Sequence, residues 1–65
     1  MITYCRTRFR NGNTKELNMN IEYAGDEPIY IYIVSYNDTE VYRSNEFRAA
    51  QIQYEKMDEN FSQIN

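Results

Sequence analysis

The chain has 65 residues, a formal net charge of −3 and a sequence isoelectric point of about 4.7. A chain this short forms one small domain, over residues 1–65, whose thin stability margin makes oligomerisation an option. Its apolar fraction of 42% excludes a disordered chain, and one cysteine with no histidine excludes a structural zinc site and histidine-based catalytic triads.

The first predicted element is a strand over residues 2–10, which ends at a hairpin turn at Asn11-Gly12-Asn13. A three-residue loop over 11–13 sets Arg8 opposite Glu16. A two-residue loop would instead set Arg8 opposite Lys15, a like-charge pair that costs stability. We therefore favour the longer loop, which gives the first strand an inward and an outward face. The inward face holds Cys5, Thr7 and Phe9, and the outward face holds Arg6, Arg8 and Arg10.

Residues 15–23 alternate between polar and apolar side chains, which predicts a half-buried second strand. Residues 24–28 are predicted to form a connection, because Gly25 and Pro28 interrupt regular structure. The third strand is predicted at residues 29–36, with the sequence IYIYIVSY. One of its faces holds Ile29, Ile31 and Ile33, and the other holds Tyr30, Tyr32, Val34 and Tyr36.

A turn at Asn37-Asp38 and a short strand over 39–43 complete the predicted sheet. Ser44 is the expected N-cap of a helix over residues 45–60 that frays toward Asn65. Apolar residues in this segment follow a helical spacing of three and four, which predicts one apolar stripe. The stripe consists of Phe47, Ala50, Tyr54, Met57 and Phe61.

The predicted fold class is α+β, a small antiparallel sheet of three to four strands in a meander with one C-terminal helix packed on one face. One helix covers only one side of a sheet. We assign the isoleucines of the third strand to the covered side, against the Phe47 stripe, which leaves its tyrosines uncovered. Cys5, in an inward position with no histidine to activate it, is predicted to be a buried structural thiol.

The uncovered side is the predicted partner-binding surface, because tyrosine and arginine are enriched at interaction hot spots. Its residues are Tyr4, Arg6, Arg8, Arg10, Tyr30, Tyr32 and Tyr36. The competing interpretation is that tyrosine merely satisfies β-propensity in cross-strand pairs. An acidic surface on the helix and turns is a second candidate for a basic partner, with a solvated face as its alternative. It comprises Glu46, Glu55, Asp58, Glu59, Asp26, Glu27, Asp38 and Glu40.

These patterns favour a small non-enzymatic interaction protein that binds and modulates, in the sense of inhibiting, a cellular protein. No catalytic residue, cofactor or metal ligand is predicted. Small size, acidity and abundant tyrosine are typical of phage- or mobile-element-encoded proteins, and the absence of a signal-peptide pattern or membrane-length apolar run predicts a cytoplasmic location. One alternative is a nucleic-acid-binding accessory protein using the Tyr/Arg face, which the net negative charge disfavours. Another is a homo-oligomeric structural module, such as a homodimer.

Overall fold

The structure, a computed structural model, describes residues 1–61. It contains strands β1 (Ile2–Arg8), β2 (Thr14–Ala24), β3 (Glu27–Tyr36) and β4 (Thr39–Ser44), followed by helix α1 (Phe47–Lys56). The strands form a four-stranded antiparallel sheet in the order β1-β2-β3-β4. This arrangement confirms the predicted α+β meander with one C-terminal helix. The expected fraying toward Asn65 lies outside the described residues.

The β1–β2 hairpin has a different register from the predicted one. Arg6 lies opposite Glu16, and the turn spans residues 10–12 rather than 11–13. The Phe9 N–H donates to the Asn13 carbonyl at 2.8 Å, and the Gly12 N–H donates to the Phe9 carbonyl at 3.0 Å. Gly12 has a φ of 96°, and three-residue hairpin loops place such a residue last in the loop. The register moves by two residues, so Cys5 and Thr7 keep the predicted inward face and Arg6 and Arg8 keep the outward face.

The two other hairpins have two-residue turns. Asn37 and Asp38 have φ values of 51° and 67°, as a type I′ turn requires, so this predicted turn is confirmed. Gly25 has a φ of 65°, and Gly25–Asp26 alone joins β2 to β3 because Ala24 pairs with Glu27. The predicted connection over 24–28 is therefore mostly strand. Pro28 is tolerated because β4 pairs only with residues 32–36, which leaves the outer edge of β3 open at Pro28.

The short β2–β3 turn decides which face of β3 the helix covers. Pairing across a connection at 24–28 would have set Tyr23 opposite Ile29, whereas the observed turn sets Tyr23 opposite Pro28. A shift of one residue exchanges the two faces of a strand. Leu17 consequently pairs with Val34, and the tyrosine side of β3, not the isoleucine side, faces α1. The predicted packing of the isoleucines against the Phe47 stripe is wrong.

The core lies between α1 and one face of strands β2, β3 and β4. Its buried members are Leu17, Val34, Tyr36, Ala50, Tyr54 and Met57. The helix is shorter than predicted. Its N-cap is Glu46, which makes no side-chain capping bond, while Ser44 ends β4 and its Oγ accepts the Glu46 N–H at 3.0 Å. Among residues 1–61, no helix is long and apolar enough to cross a membrane.

The β2–β3 hairpin extends well beyond the helix and its neighbouring strands. β1 pairs with β2 only as far as Met19, and β4 pairs with β3 only from Tyr32 onward. A ten-residue helix is about 15 Å long, whereas an eleven-residue strand spans about 36 Å. Residues 20–31, which we call the distal ribbon, therefore project as a two-stranded extension of a molecule measuring 43 × 22 × 18 Å.

Candidate interaction surface

The seven residues predicted to share an uncovered face do not lie together, so that prediction is wrong. Tyr30, Tyr32 and Tyr36 lie on the side of β3 that faces α1. Tyr36 is only 2% exposed and its hydroxyl donates to the Asp58 carbonyl at 2.7 Å, so it belongs to the core. The arginines separate from the tyrosines. Arg6 and Arg8 lie on the opposite face of the sheet, and Arg10 lies in the first turn.

Tyr4 joins the helix side of the sheet through an irregularity in β1. The β1–β2 register shifts between Thr3 and Cys5, so Tyr4 has no partner on β2. Such a bulge redirects side chains. The Tyr4 ring lies 5.4 Å from Phe47 and 6.1 Å from Tyr32, and Phe47 lies 5.4 Å from Tyr32, measured between ring centroids. This aromatic cluster includes Phe47, the first residue of α1, and marks the end of the covered core.

Two members of the aromatic cluster, and apolar side chains farther along the same face, stay exposed to solvent. This set, which we call the apolar patch, comprises Ile2, Tyr4, Ile21, Tyr23, Tyr30 and Phe47. Tyr23 is 69% exposed, Tyr4 and Tyr30 are each 48% exposed, and Phe47 is 38% exposed. At about 200 Å² per aromatic side chain, these four leave roughly 400 Å² open, which matches the largest patch on a typical monomer. The patch is the main candidate binding surface.

The opposite face of the sheet pairs its charges. Arg6 lies 3.7 Å from the Glu16 carboxylate. Arg43 donates two hydrogen bonds to Glu40, at 2.8 and 3.0 Å, and these bonds hold the pKa of Glu40 below its ordinary value. Arg43 also lies 3.6 Å from Glu22 on β2, so its side chain reaches across β3. Arg6 and Arg43, on this face, therefore lie beside carboxylates rather than beside aromatic rings.

Lys15 has a structural role that the sequence did not predict. It is 8% exposed, and its Nζ donates to the Tyr54 carbonyl at 2.7 Å and the Met57 carbonyl at 2.9 Å. These bonds satisfy carbonyls at the C-terminal end of α1, where a cation also favours the helix dipole. Burial lowers the pKa of Lys15, against the opposing charges of Glu55 and Asp58. The sequence did hold one signal for this burial: Lys15 stands two residues before Leu17, so both side chains lie on the covered face of β2.

The acidic residues do not form one surface. Asp26 and Glu27 lie at the tip of the distal ribbon, at the β2–β3 turn. Asp58 and Glu59 follow α1 at the other end of the sheet, where the Asn11 and Asn13 amides donate to the Glu59 carbonyl at 2.8 and 3.0 Å. Asp38, in the β3–β4 turn, also lies at this end. These five members of the candidate acidic surface therefore lie at two opposite ends of an elongated molecule.

The single cysteine and the carboxylates of residues 1–61 do not gather into a metal site. Cys5 is exposed, so its assignment as a buried thiol is wrong. It lies on β1, an edge strand, whereas α1 packs against β2, β3 and β4. Within residues 1–61, no group of three or more cysteine, aspartate or glutamate side chains is placed to hold a metal ion.

In comparisons with known proteins, no protein-family model matches the chain, and neither a curated protein nor a solved structure is significantly similar to it.

Proposed function

We propose that this chain is a small non-enzymatic interaction protein that binds a cellular protein through the apolar patch. The observation that carries the proposal is the exposure of Tyr4, Tyr23 and Tyr30 together on one face. Exposed apolar areas of this size on a small protein mark interaction sites. Inhibition is the favoured form of modulation, because a domain without catalytic groups acts on its partner by occupying a surface.

The composition of the patch suits a protein partner. Tyrosine supplies rigid contact area with a polar hydroxyl, so it tolerates water before binding and packs well afterwards. The aromatic area of roughly 400 Å² is about half of what one partner buries in a standard interface of about 800 Å² per side. Ile2 and Ile21 add aliphatic area beside it. The apolar patch could thus form the centre of an interface with a polar rim.

The arrangement of charges disfavours the nucleic-acid alternative. A single-strand binder places aromatic rings and basic groups along one groove so that bases stack while phosphates are neutralised. Here Arg6 and Arg8 lie on the opposite face from Tyr30. Arg6 also lies beside a carboxylate, and the formal net charge is −3.

The test compares a patch variant with a variant of the opposite face. The patch variant combines Ile21→Ser with Tyr30→Ser, which are cross-strand neighbours outside the core, and the control is Arg8→Ser. A protein captured by the wild-type chain from its native cells is identified by mass spectrometry and then purified. We expect calorimetry to show at least about tenfold weaker binding for the patch variant and unchanged binding for the control.

Thermal melting of both variants, followed by circular dichroism, shows whether each one still folds. Loss of binding in Arg8→Ser with full binding by the patch variant would assign the partner to the opposite face and refute the proposal. A wild-type dimer that the patch variant dissociates, with no other captured protein, would support the homo-oligomer alternative instead.

A further inference from the structure

The distal ribbon has two outer edges that no described strand occupies. Within residues 1–61, β1 stops pairing at Met19 and β4 begins pairing at Tyr32. An isolated two-stranded ribbon is marginally stable in water, and an unpaired edge is a template for another strand. Residues 20–31 therefore display backbone hydrogen-bonding groups directly beside the apolar patch.

The two edges differ in the groups that they offer. Ala24 and Glu27 flank a two-residue turn, so they form a hydrogen-bonded pair, and bonded and non-bonded pairs alternate from there along an antiparallel ladder. Ile21 and Tyr23 consequently direct both N–H and C=O away from β3. On the other edge, Pro28 has no N–H, which leaves Tyr30 as the donor. The β2 edge is the better template.

The side chains along the β2 edge define what an added strand would carry. Positions opposite Ile21 and Tyr23 lie on the side of the apolar patch, whereas a position opposite Glu22 lies on the other face. The distal ribbon contains Glu22, Asp26 and Glu27 and no lysine or arginine. Arg43 approaches Glu22 from β4, which leaves the ribbon with an excess of negative charge.

We infer that the β2 edge at residues 20–24 binds an extended segment of the partner protein in which apolar and basic side chains alternate. This inference rests on the proposed function and adds the mode of binding, which is strand addition. Backbone hydrogen bonds from Ile21 and Tyr23 supply affinity, and alternate side chains supply specificity. The apolar side chains of the segment contact the patch, and its basic side chains lie near Glu22 and the acidic tip.

A second copy of this chain is a poorer occupant of the same edge. An antiparallel pairing that sets Ile21 of each copy opposite Tyr23 of the other also sets the two Glu22 side chains opposite each other. Like charges directly opposite are destabilising, and both copies carry a net charge of −3. Charge complementarity therefore favours a foreign basic segment.

The test uses the full chain, labelled for NMR, and synthetic peptides of alternating valine and lysine. Matched peptides carry glutamate in place of lysine, or N-methyl groups that block one edge of the peptide. We expect the lysine peptide to bind at least about tenfold more tightly than the glutamate and N-methylated peptides. We also expect it to slow amide exchange at Ile21 and Tyr23 by about tenfold or more, without protecting Tyr30.

Two variants separate the backbone from the side chain of Tyr23. Tyr23→Pro removes the outward N–H, whereas Tyr23→Ser keeps it and removes the ring. Strand addition predicts that Tyr23→Pro binds the lysine peptide more weakly than Tyr23→Ser by about tenfold. If Tyr23→Pro fails to fold, the N-methylated peptide still decides the role of the backbone.

Several results would overturn strand addition. They are no binding of the lysine peptide, equal binding of the glutamate peptide, binding without amide protection at Ile21 and Tyr23, or a wild-type dimer that protects these same amides. Such a result would leave the proposed function standing if the Ile21→Ser and Tyr30→Ser variant still lost its captured protein.

Discussion

Replacement of Leu17 by alanine tests the packing of α1 on the tyrosine side of the sheet. Leu17 is fully buried, and it belongs to the same core cluster as Val34, Tyr54 and Met57. Truncating a buried leucine to alanine costs about 3–5 kcal/mol, because apolar transfer energy is lost and a cavity remains. A domain of this length has a total stability of roughly 3–10 kcal/mol, so Leu17→Ala removes a third of it or more.

Ile29→Ala is the matched control for this prediction. Ile29 is 37% exposed and lies on the isoleucine side of β3, away from α1. Its truncation should cost about 1 kcal/mol or less, because little buried area is lost. Urea unfolding followed by circular dichroism gives both free energies, at protein concentrations where sedimentation finds a monomer. Thermal midpoints should fall by roughly 10 °C or more for Leu17→Ala and by far less for Ile29→Ala.

The comparison has a clear refuting result. If Ile29→Ala costs as much stability as Leu17→Ala, or if Leu17→Ala costs under about 1 kcal/mol, then α1 does not cover the tyrosine side of β3. The apolar patch would then lose its position at the end of the core, and the isoleucine side would become the covered one.

Two further substitutions test the polar groups. Asn18 is 7% exposed, and its Oδ1 is buried without a hydrogen-bond partner among the described residues. Asn18→Leu should therefore stabilise the protein by about 1 kcal/mol, measured by urea unfolding. A loss of stability would contradict this prediction. Burial lowers the pKa of Lys15, so the unfolded chain holds that proton more tightly. As the pH rises toward the ordinary lysine pKa of about 10.4, the free energy of unfolding of the wild type should therefore increase relative to that of Lys15→Met. Urea midpoints of the two proteins that change in parallel over this pH range would refute the prediction.

The candidate site was only partly predictable from the sequence. Tyr4 and Tyr30 were predicted to bind a partner and do lie in the apolar patch, whereas Tyr36 lies in the core and the arginines lie elsewhere. Ile21 and Tyr23 were recognised as apolar members of an alternating strand, but which of them the helix would reach depends on where α1 begins and on its length. A ten-residue helix cannot cover strands more than twice as long.

The sequence by itself determined the elements and their order, because these depend on local chemistry. Alternation marked the strands, Asn37 and Asp38 could adopt the positive φ of their turn, and the spacing from Phe47 marked the helix. Only the tertiary structure decided which face of β3 is buried. That choice depends on whether Gly25–Asp26 alone forms the turn, since a change of one residue in register exchanges the two faces. The tertiary structure also decided the burial of Lys15, whose charge is tolerated there because the carbonyls that end α1 lie within hydrogen-bonding distance.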